Sequence, residues 1–108
     1  MKKSVVEKDP ILSEIRQRLI ETIGDNVEQI ILFGSRARGN AHKDSDYDVL
    51  LLVKNCSKEL EDQISVITDE MLDRYGKFVM IFDFEATTYE RSKIDPLFIN
   101  IRREGIAL

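Results

Sequence analysis

The sequence contains little of what marks a secreted or membrane-spanning protein. Its single cysteine, Cys56, excludes an internal disulfide framework. No apolar run approaches the roughly 18 residues of a membrane-spanning helix, and the opening residues lack the pattern of a signal peptide. We therefore expect a cytoplasmic protein that forms a single domain over residues 1–108, with a frayed start over residues 1–8.

The chain also lacks an excess of positive charge. It carries 16 basic and 20 acidic residues, which gives a net charge of -4, and the two signs are interspersed along the chain. A protein that binds long nucleic acid normally has a basic patch or stripe. Long nucleic acid is therefore not an expected partner, and neither is a membrane.

What the sequence does contain is an alternation of helix and strand patterns. Two Asp-Pro pairs, Asp9-Pro10 and Asp95-Pro96, are typical helix starts, because Asp caps free amides and Pro fits the first turn. Apolar periodicity predicts strands at 27–33, 46–53 and 77–84, and helices at 10–23, within 34–40, and at 58–75, 89–91 and 97–104. This order predicts an α+β (α/β) fold, a small mixed three-stranded sheet with helices packed on it.

Residues 33–53, FGSRARGNAHKDSDYDVLLLV, carry the candidate chemistry. Asp46 and Asp48 stand two residues apart at the start of an apolar strand, so their carboxylates share one face of it. Such a pair suits Mg²⁺, which is usually held by one or two carboxylates together with substrate phosphates. Gly34-Ser35 follows the preceding strand, where a glycine lets the backbone approach an anion closely. The stretch therefore predicts a site for a nucleoside triphosphate with Mg²⁺.

This stretch resembles the signature of the minimal nucleotidyltransferase (MNT) family, within the DNA polymerase β-like nucleotidyltransferase superfamily. The signature is Gly-Ser, then about ten residues, then Asp-x-Asp followed by apolar residues, and here ten residues separate Ser35 from Asp46. The resemblance covers about a fifth of the chain and implies the small palm-like fold of the superfamily.

The resemblance also implies roles for individual residues. It implies Asp46 and Asp48 as metal ligands and catalytic residues, and it implies four nucleotide-binding residues, which are Gly34, Ser35, Arg36 and Arg38. For the two arginines, a phosphate contact and an internal salt bridge with the aspartates are equally open.

A reaction and a partner follow from the same resemblance. Mg²⁺ is the implied cofactor and ATP the implied substrate, from which AMP passes to a hydroxyl acceptor while pyrophosphate leaves. In this family the protein is commonly an antitoxin, and the acceptor is a tyrosine of a helical HEPN-domain toxin.

One element of the superfamily pattern is missing at its expected place. Active members carry a third carboxylate on the next strand, where it completes two-metal chemistry. Alignment by eye places Met80 there, and Asp83 and Glu85 follow on the same strand. Asp83 becomes a third catalytic candidate, although its three-residue offset makes it face away from position 80 unless a bulge turns it. The alternative hypothesis is a catalytically degenerate nucleotide-binding module that neutralises its toxin by direct contact.

The C-terminal residues leave a further choice open. Their apolar side chains exceed what one side of a short helix can hide: Leu97, Phe98, Ile101, Ile106 and Leu108. Either a second copy of the chain or the toxin covers them, or the tail folds back on the sheet and completes the core.

Overall fold

The computed structural model describes residues 8–108, so the expectation of a frayed start falls almost entirely outside the described residues. The helices are α1 (Pro10–Ile23), α2 (Ser35–Arg38), α3 (Lys58–Tyr75), α4 (Ala86–Arg91) and α5 (Pro96–Glu104), with a 3-10 turn at Gly24–Asn26. The strands are β1 (Val27–Phe33), β2 (Tyr47–Val53), β3 (Val79–Glu85) and β4 (Ile106–Ala107). Within residues 8–108, no helix is long and apolar enough to cross a membrane.

The helices begin where the sequence supplies a side-chain cap. One carboxylate oxygen of Asp9 accepts from the amides of Ile11 and Leu12, and Asp95 accepts from Leu97 in the same way. These bonds satisfy amides that have no partner within the helix. The two Asp-Pro predictions are therefore confirmed.

The strands form one mixed sheet in the order β3-β2-β1-β4. β2 runs antiparallel to β1 and parallel to β3, while β4 runs antiparallel to β1. The hairpin-like connection of β1 to β2 brings the end of one strand to the start of the other. Residues 34–46, which contain most of the predicted site, form this connection.

Alternation along β2 divides its side chains between two cores. Every second residue of the strand, from Tyr47 to Val53, lies in a core formed with α1 and α3. The intervening Leu50 and Leu52 lie in a second core with Phe98 and Ile101 of α5. Helices therefore cover both faces of the central strand.

The sheet has four strands where the sequence analysis predicts three. Ile106 and Ala107 pair with β1 opposite Leu32 and Ile31, and the amide of Leu108 donates to the carbonyl of Ile30. In the same segment, Phe98 and Ile101 are each only 2% exposed, whereas Leu97 is 38% exposed. Of the two alternatives for the tail, the structure shows that it folds back and completes the core. The extra strand forms because β1 would otherwise leave an edge of backbone groups unpaired.

Candidate functional site

The two halves of the predicted site meet where β1 ends and β2 begins. Phe33 pairs with Asp48 across the antiparallel ladder, so Gly34 lies next to the Asp48 carboxylate. Gly34 has φ 79° and ψ -159°, a combination that is essentially restricted to glycine. A Cβ on Gly34 would lie 2.5 Å from Oδ2 of Asp48, so any side chain there would displace this carboxylate. The backbone conformation therefore favours glycine, and the present position of the carboxylate depends on it.

Asp48 is the one residue of β2 that is not fully buried. Partial burial raises the pKa of its carboxyl, the negative charge of Asp46 raises it further, and Arg38 opposes the shift. Asp46, just before the strand, is exposed. The two carboxylates thus accumulate negative charge that a bound cation would relieve.

Met80 occupies the place beside Asp48 on the next strand. The register of β2 and β3 pairs these two residues directly, and 45% of the Met80 surface is exposed. Among residues 8–108, no group of three or more His, Cys, Asp or Glu side chains is arranged to hold a metal ion. The donor set of Asp46 and Asp48 fits one Mg²⁺ whose remaining ligands are phosphate oxygens and water. It does not provide the extra ligand that a second ion needs.

Asp83 and Glu85 lie elsewhere. The pairing of β2 with β3 continues without a bulge from Tyr47 to Val53, and it places Asp83 beside Leu51, on the opposite face from Asp48. Glu85 accepts a bond from the backbone amide of Cys56 at 3.3 Å. The structure does not bring Asp83 to the aspartate pair, so the catalytic role predicted for it has no support in this geometry.

The two arginines differ in what they contact. Arg36 donates to the carbonyl of Ser45 through Nε at 3.2 Å and Nη2 at 2.7 Å, and its guanidinium lies 3.9 Å from the centre of the Tyr47 ring. Arg38 forms a surface ion pair with Glu104, with 3.0 Å between Nη1 and Oε1. Neither arginine forms a salt bridge with the aspartates. Arg38 remains the candidate for phosphate contact, because an exposed ion pair is worth at most about 1 kcal/mol and exchanges easily.

One feature of the site lies beyond the sequence prediction. The Tyr47 hydroxyl donates to Oδ2 of Asp9 at 2.6 Å, which connects the residue between the two aspartates to the start of α1. The sequence predicts Asp9 only as a helix cap. The sequence signal for this bond is that a capping Asp uses one carboxylate oxygen for helix amides and leaves the other free to accept from a buried donor.

Residues 12–104 match the family model of the nucleotidyltransferase domain. Among curated proteins, the chain is 37% identical over 94 residues to a protein of Methanocaldococcus jannaschii named "Putative protein adenylyltransferase MJ1305". The alignment covers 84% of this chain and 64% of that protein. The chain thus spans less than two thirds of the length of this relative.

Solved structures with a similar fold include two from toxin–antitoxin systems. A toxin–antitoxin structure with AMP-PNP gives a TM-score of 0.64 at 18% identity, covering 88% of this chain and 69% of that chain. An alanine mutant of the toxin–antitoxin MntA-HpeT gives a TM-score of 0.64 at 22% identity, covering 89% and 69%. At these identities the similarity is one of fold.

Proposed function

Because the chain belongs to the nucleotidyltransferase domain family, we propose that it is a Mg²⁺-dependent nucleotidyltransferase that moves AMP from ATP to a hydroxyl group. The observation that carries this proposal is the contact between the Asp48 carboxylate and Gly34, with Asp46 adjacent. The carboxylate pair proposed to hold the metal and the glycine turn proposed to face the phosphates lie side by side. Such a pairing is what a triphosphate with its cation requires.

In the proposed reaction, the acceptor oxygen forms a bond to the α-phosphorus of ATP as the bond to the pyrophosphate oxygen breaks. The acceptor proton passes to solvent and pyrophosphate leaves. Asp46 and Asp48 would hold the cation, and the Gly34-Ser35 backbone with the Ser35 hydroxyl would orient the leaving phosphates. When bound, Mg²⁺ neutralises charge that develops on the phosphate oxygens. Arg38 lies three residues after Ser35 and forms a surface ion pair with Glu104; when this pair opens, Arg38 would add a second positive charge.

The acceptor we propose is a tyrosine hydroxyl on a helical HEPN-type toxin, which makes this protein an antitoxin of the cytoplasm. The name of the M. jannaschii relative supports AMP as the transferred group, and the toxin–antitoxin neighbours support a toxin as the acceptor.

A second candidate function rests on Met80. A thioether beside Asp48 does not hold the ion that would activate an acceptor hydroxyl. The protein would then bind Mg²⁺ and ATP at Asp46 and Asp48 without transfer, and it would neutralise the toxin by contact.

One assay separates the two candidates. The protein is incubated with ATP labelled at the α-phosphate, Mg²⁺ and a HEPN-type protein encoded beside it. Label on that protein, lost in Asp48→Asn and with EDTA, supports transfer. Mg²⁺-dependent ATP binding without label supports the second candidate. Absence of Mg²⁺-dependent binding in titration calorimetry contradicts both.

A further inference from the structure

We propose that Asp9, Tyr47 and Arg36 form a positioning unit that fixes the two aspartates relative to the Gly34 turn, and that Arg36 acts here and not as a phosphate ligand. The inference rests on the proposed function, because it concerns the same site. It adds a role for three residues whose side chains contact one another or the backbone of the connecting loop. None of the three side chains forms a hydrogen bond or an ion pair with Asp46 or Asp48.

Tyr47 is the centre of this unit. It separates Asp46 from Asp48 along the chain and points to the opposite face of the sheet, where it is only 3% exposed. Its hydroxyl donates to Oδ2 of Asp9 at 2.6 Å. Rotation of the strand about its own axis would break this bond. An anchored Tyr47 therefore fixes the direction in which the flanking carboxylates point.

Arg36 connects the unit to the other half of the site. It lies two residues after Gly34 in α2, and its guanidinium covers the Tyr47 ring. Its Nη2 also donates to the carbonyls of His42 at 3.3 Å and Lys43 at 3.4 Å, besides Ser45. These carbonyls belong to the loop that leads into Asp46. The Nε and Nη2 donors of Arg36 are thus engaged by the loop, so Arg36 holds the loop against the Gly34 turn.

Asp9 completes the connection to the helix layer. One of its oxygens caps α1 and the other accepts from Tyr47, so a single carboxylate joins helix and strand. Loss of this acceptor would leave a buried hydroxyl without a partner, which destabilises the folded protein. The protein contains matched residues for separating this role from ordinary stabilisation. Asp95 is a second Asp-Pro helix cap, but no tyrosine among the described residues donates to it. Tyr75 is a second tyrosine whose hydroxyl donates to a carboxylate, here Glu14, and this bond joins α3 to α1.

The first test compares Tyr47→Phe with Tyr75→Phe, and Asp9→Ala with Asp95→Ala. Titration calorimetry measures ATP affinity with and without Mg²⁺, and melting temperatures report stability. Tyr47→Phe and Asp9→Ala should weaken Mg²⁺-dependent ATP binding about tenfold, in the range typical of residues that orient metal ligands. The two control variants should also lower the melting temperature but leave this affinity unchanged. Equal affinity in Tyr47→Phe and wild type would overturn the proposal.

The second test separates positioning from phosphate contact at Arg36. Arg36→Lys keeps the positive charge but loses the planar group that stacks on Tyr47 and reaches several carbonyls. A positioning role predicts weaker ATP binding with Mg²⁺ and unchanged binding without it. A phosphate ligand predicts that Arg36→Gln weakens ATP binding in both conditions while Arg36→Lys largely restores it, and that result would overturn the assignment of Arg36.

A third measurement needs no nucleotide and therefore stands even if the proposed function fails. Within the loop, the amide of Ser45 donates to the carbonyl of His42, and the amide of His42 donates to the Ser45 hydroxyl at 2.8 Å. Hydrogen exchange at these two amides should accelerate at least severalfold in Arg36→Lys and remain unchanged in Tyr75→Phe. Unchanged exchange in Arg36→Lys would contradict the proposal that Arg36 holds the loop. If exchange accelerates in Arg36→Lys but the wild-type protein binds no Mg²⁺·ATP, only the proposed function is refuted.

Discussion

Strands β2 and β3 run parallel, and acidic residues gather at both ends of the pair. The leading end, where both strands begin, carries Asp46 and Asp48, with Met80 beside Asp48. The trailing end, where both strands finish, carries Asp83 and Glu85, with Cys56 nearby. The leading end lies against the Gly34 turn. At the trailing end the carboxylates face a backbone amide and a thiol. The two ends have the same kind of side chain but only one has the surroundings of a nucleotide site.

This difference indicates that location in the sheet decides which surroundings a carboxylate has. In open parallel sheets, ligands usually bind at the carboxyl ends of the strands, which would favour the trailing end. Here β1 is antiparallel to β2, so its carboxyl end meets the start of β2 and brings the glycine turn to the leading end. The mixed topology thus places the candidate site at the other end of β2.

The largest effect should follow a change in the glycine that distinguishes the leading end. Gly34→Ala places a methyl group 2.5 Å from Oδ2 of Asp48 and requires a backbone conformation that alanine avoids. Mg²⁺-dependent ATP binding should fall on the order of a hundredfold, the upper range for changes next to metal ligands. Gly39→Ala is the control, since Gly39 has φ 82° but no atom within 4 Å of an added Cβ. Equal losses in both variants would mean that backbone strain alone explains the effect.

The next variants test which end of the strand pair supplies the third carboxylate for catalysis. Met80→Asp would place an acidic oxygen beside Asp48, where a second ion needs a ligand, so transfer to the acceptor should rise severalfold with Mg²⁺ present. Initial rates of label transfer measure this. If Met80→Asp gives no gain while Asp83→Ala abolishes transfer, Asp83 supplies the third carboxylate and the comparison between the ends is wrong.

The elements that could be predicted from sequence are those with local signals. β1 has the predicted bounds 27–33, because a continuous apolar run followed by glycine marks a buried strand and its end. α3 begins and ends as predicted, since Ser57 caps its first turn and Gly76 takes a left-handed conformation after its last. Strand periodicity also predicts that Asp46 and Asp48 share one face, but β2 begins at Tyr47, so Asp46 lies just before the strand.

The remaining features depend on distant parts of the chain. β4 is two residues long and exists only because β1 has a free edge near it. The loop before Asp46 decides which groups Arg36 contacts, and no local pattern specifies that path. The face on which Asp83 lies depends on whether β2 and β3 pair without a bulge, which only the register reveals.

A smaller effect concerns protein stability, which the negative charge of Asp48 at the leading end lowers. Burial, then Asp46, raises the pKa of Asp48 in the folded protein above its value in the unfolded chain. The unfolded state therefore binds fewer protons between these two pKa values, and stability decreases as pH rises through the folded pKa. Without Mg²⁺, Asp48→Asn should raise the melting temperature at pH 7, and the difference should disappear below about pH 4. Asp46→Asn, at an exposed position, should give a smaller gain. A lower melting temperature for Asp48→Asn at pH 7 would contradict this.

The smallest effect is expected at the trailing end, where burial and the acidic residues raise the pKa of a thiol. Partial burial raises the pKa of Cys56 to about 11, with further contributions from the charge and hydrogen bond of Asp83 and the charge of Glu85. Only the thiolate reacts with iodoacetamide, so alkylation at pH 8 should be slower than for a free cysteine. Asp83→Asn removes one negative charge and should accelerate alkylation a few-fold, while Asp44→Asn at the other end of the sheet should not. Rates followed by mass spectrometry test this directly. An unchanged rate in Asp83→Asn would mean that Asp83 does not act on the thiol, and its place at the trailing end would have to be reconsidered.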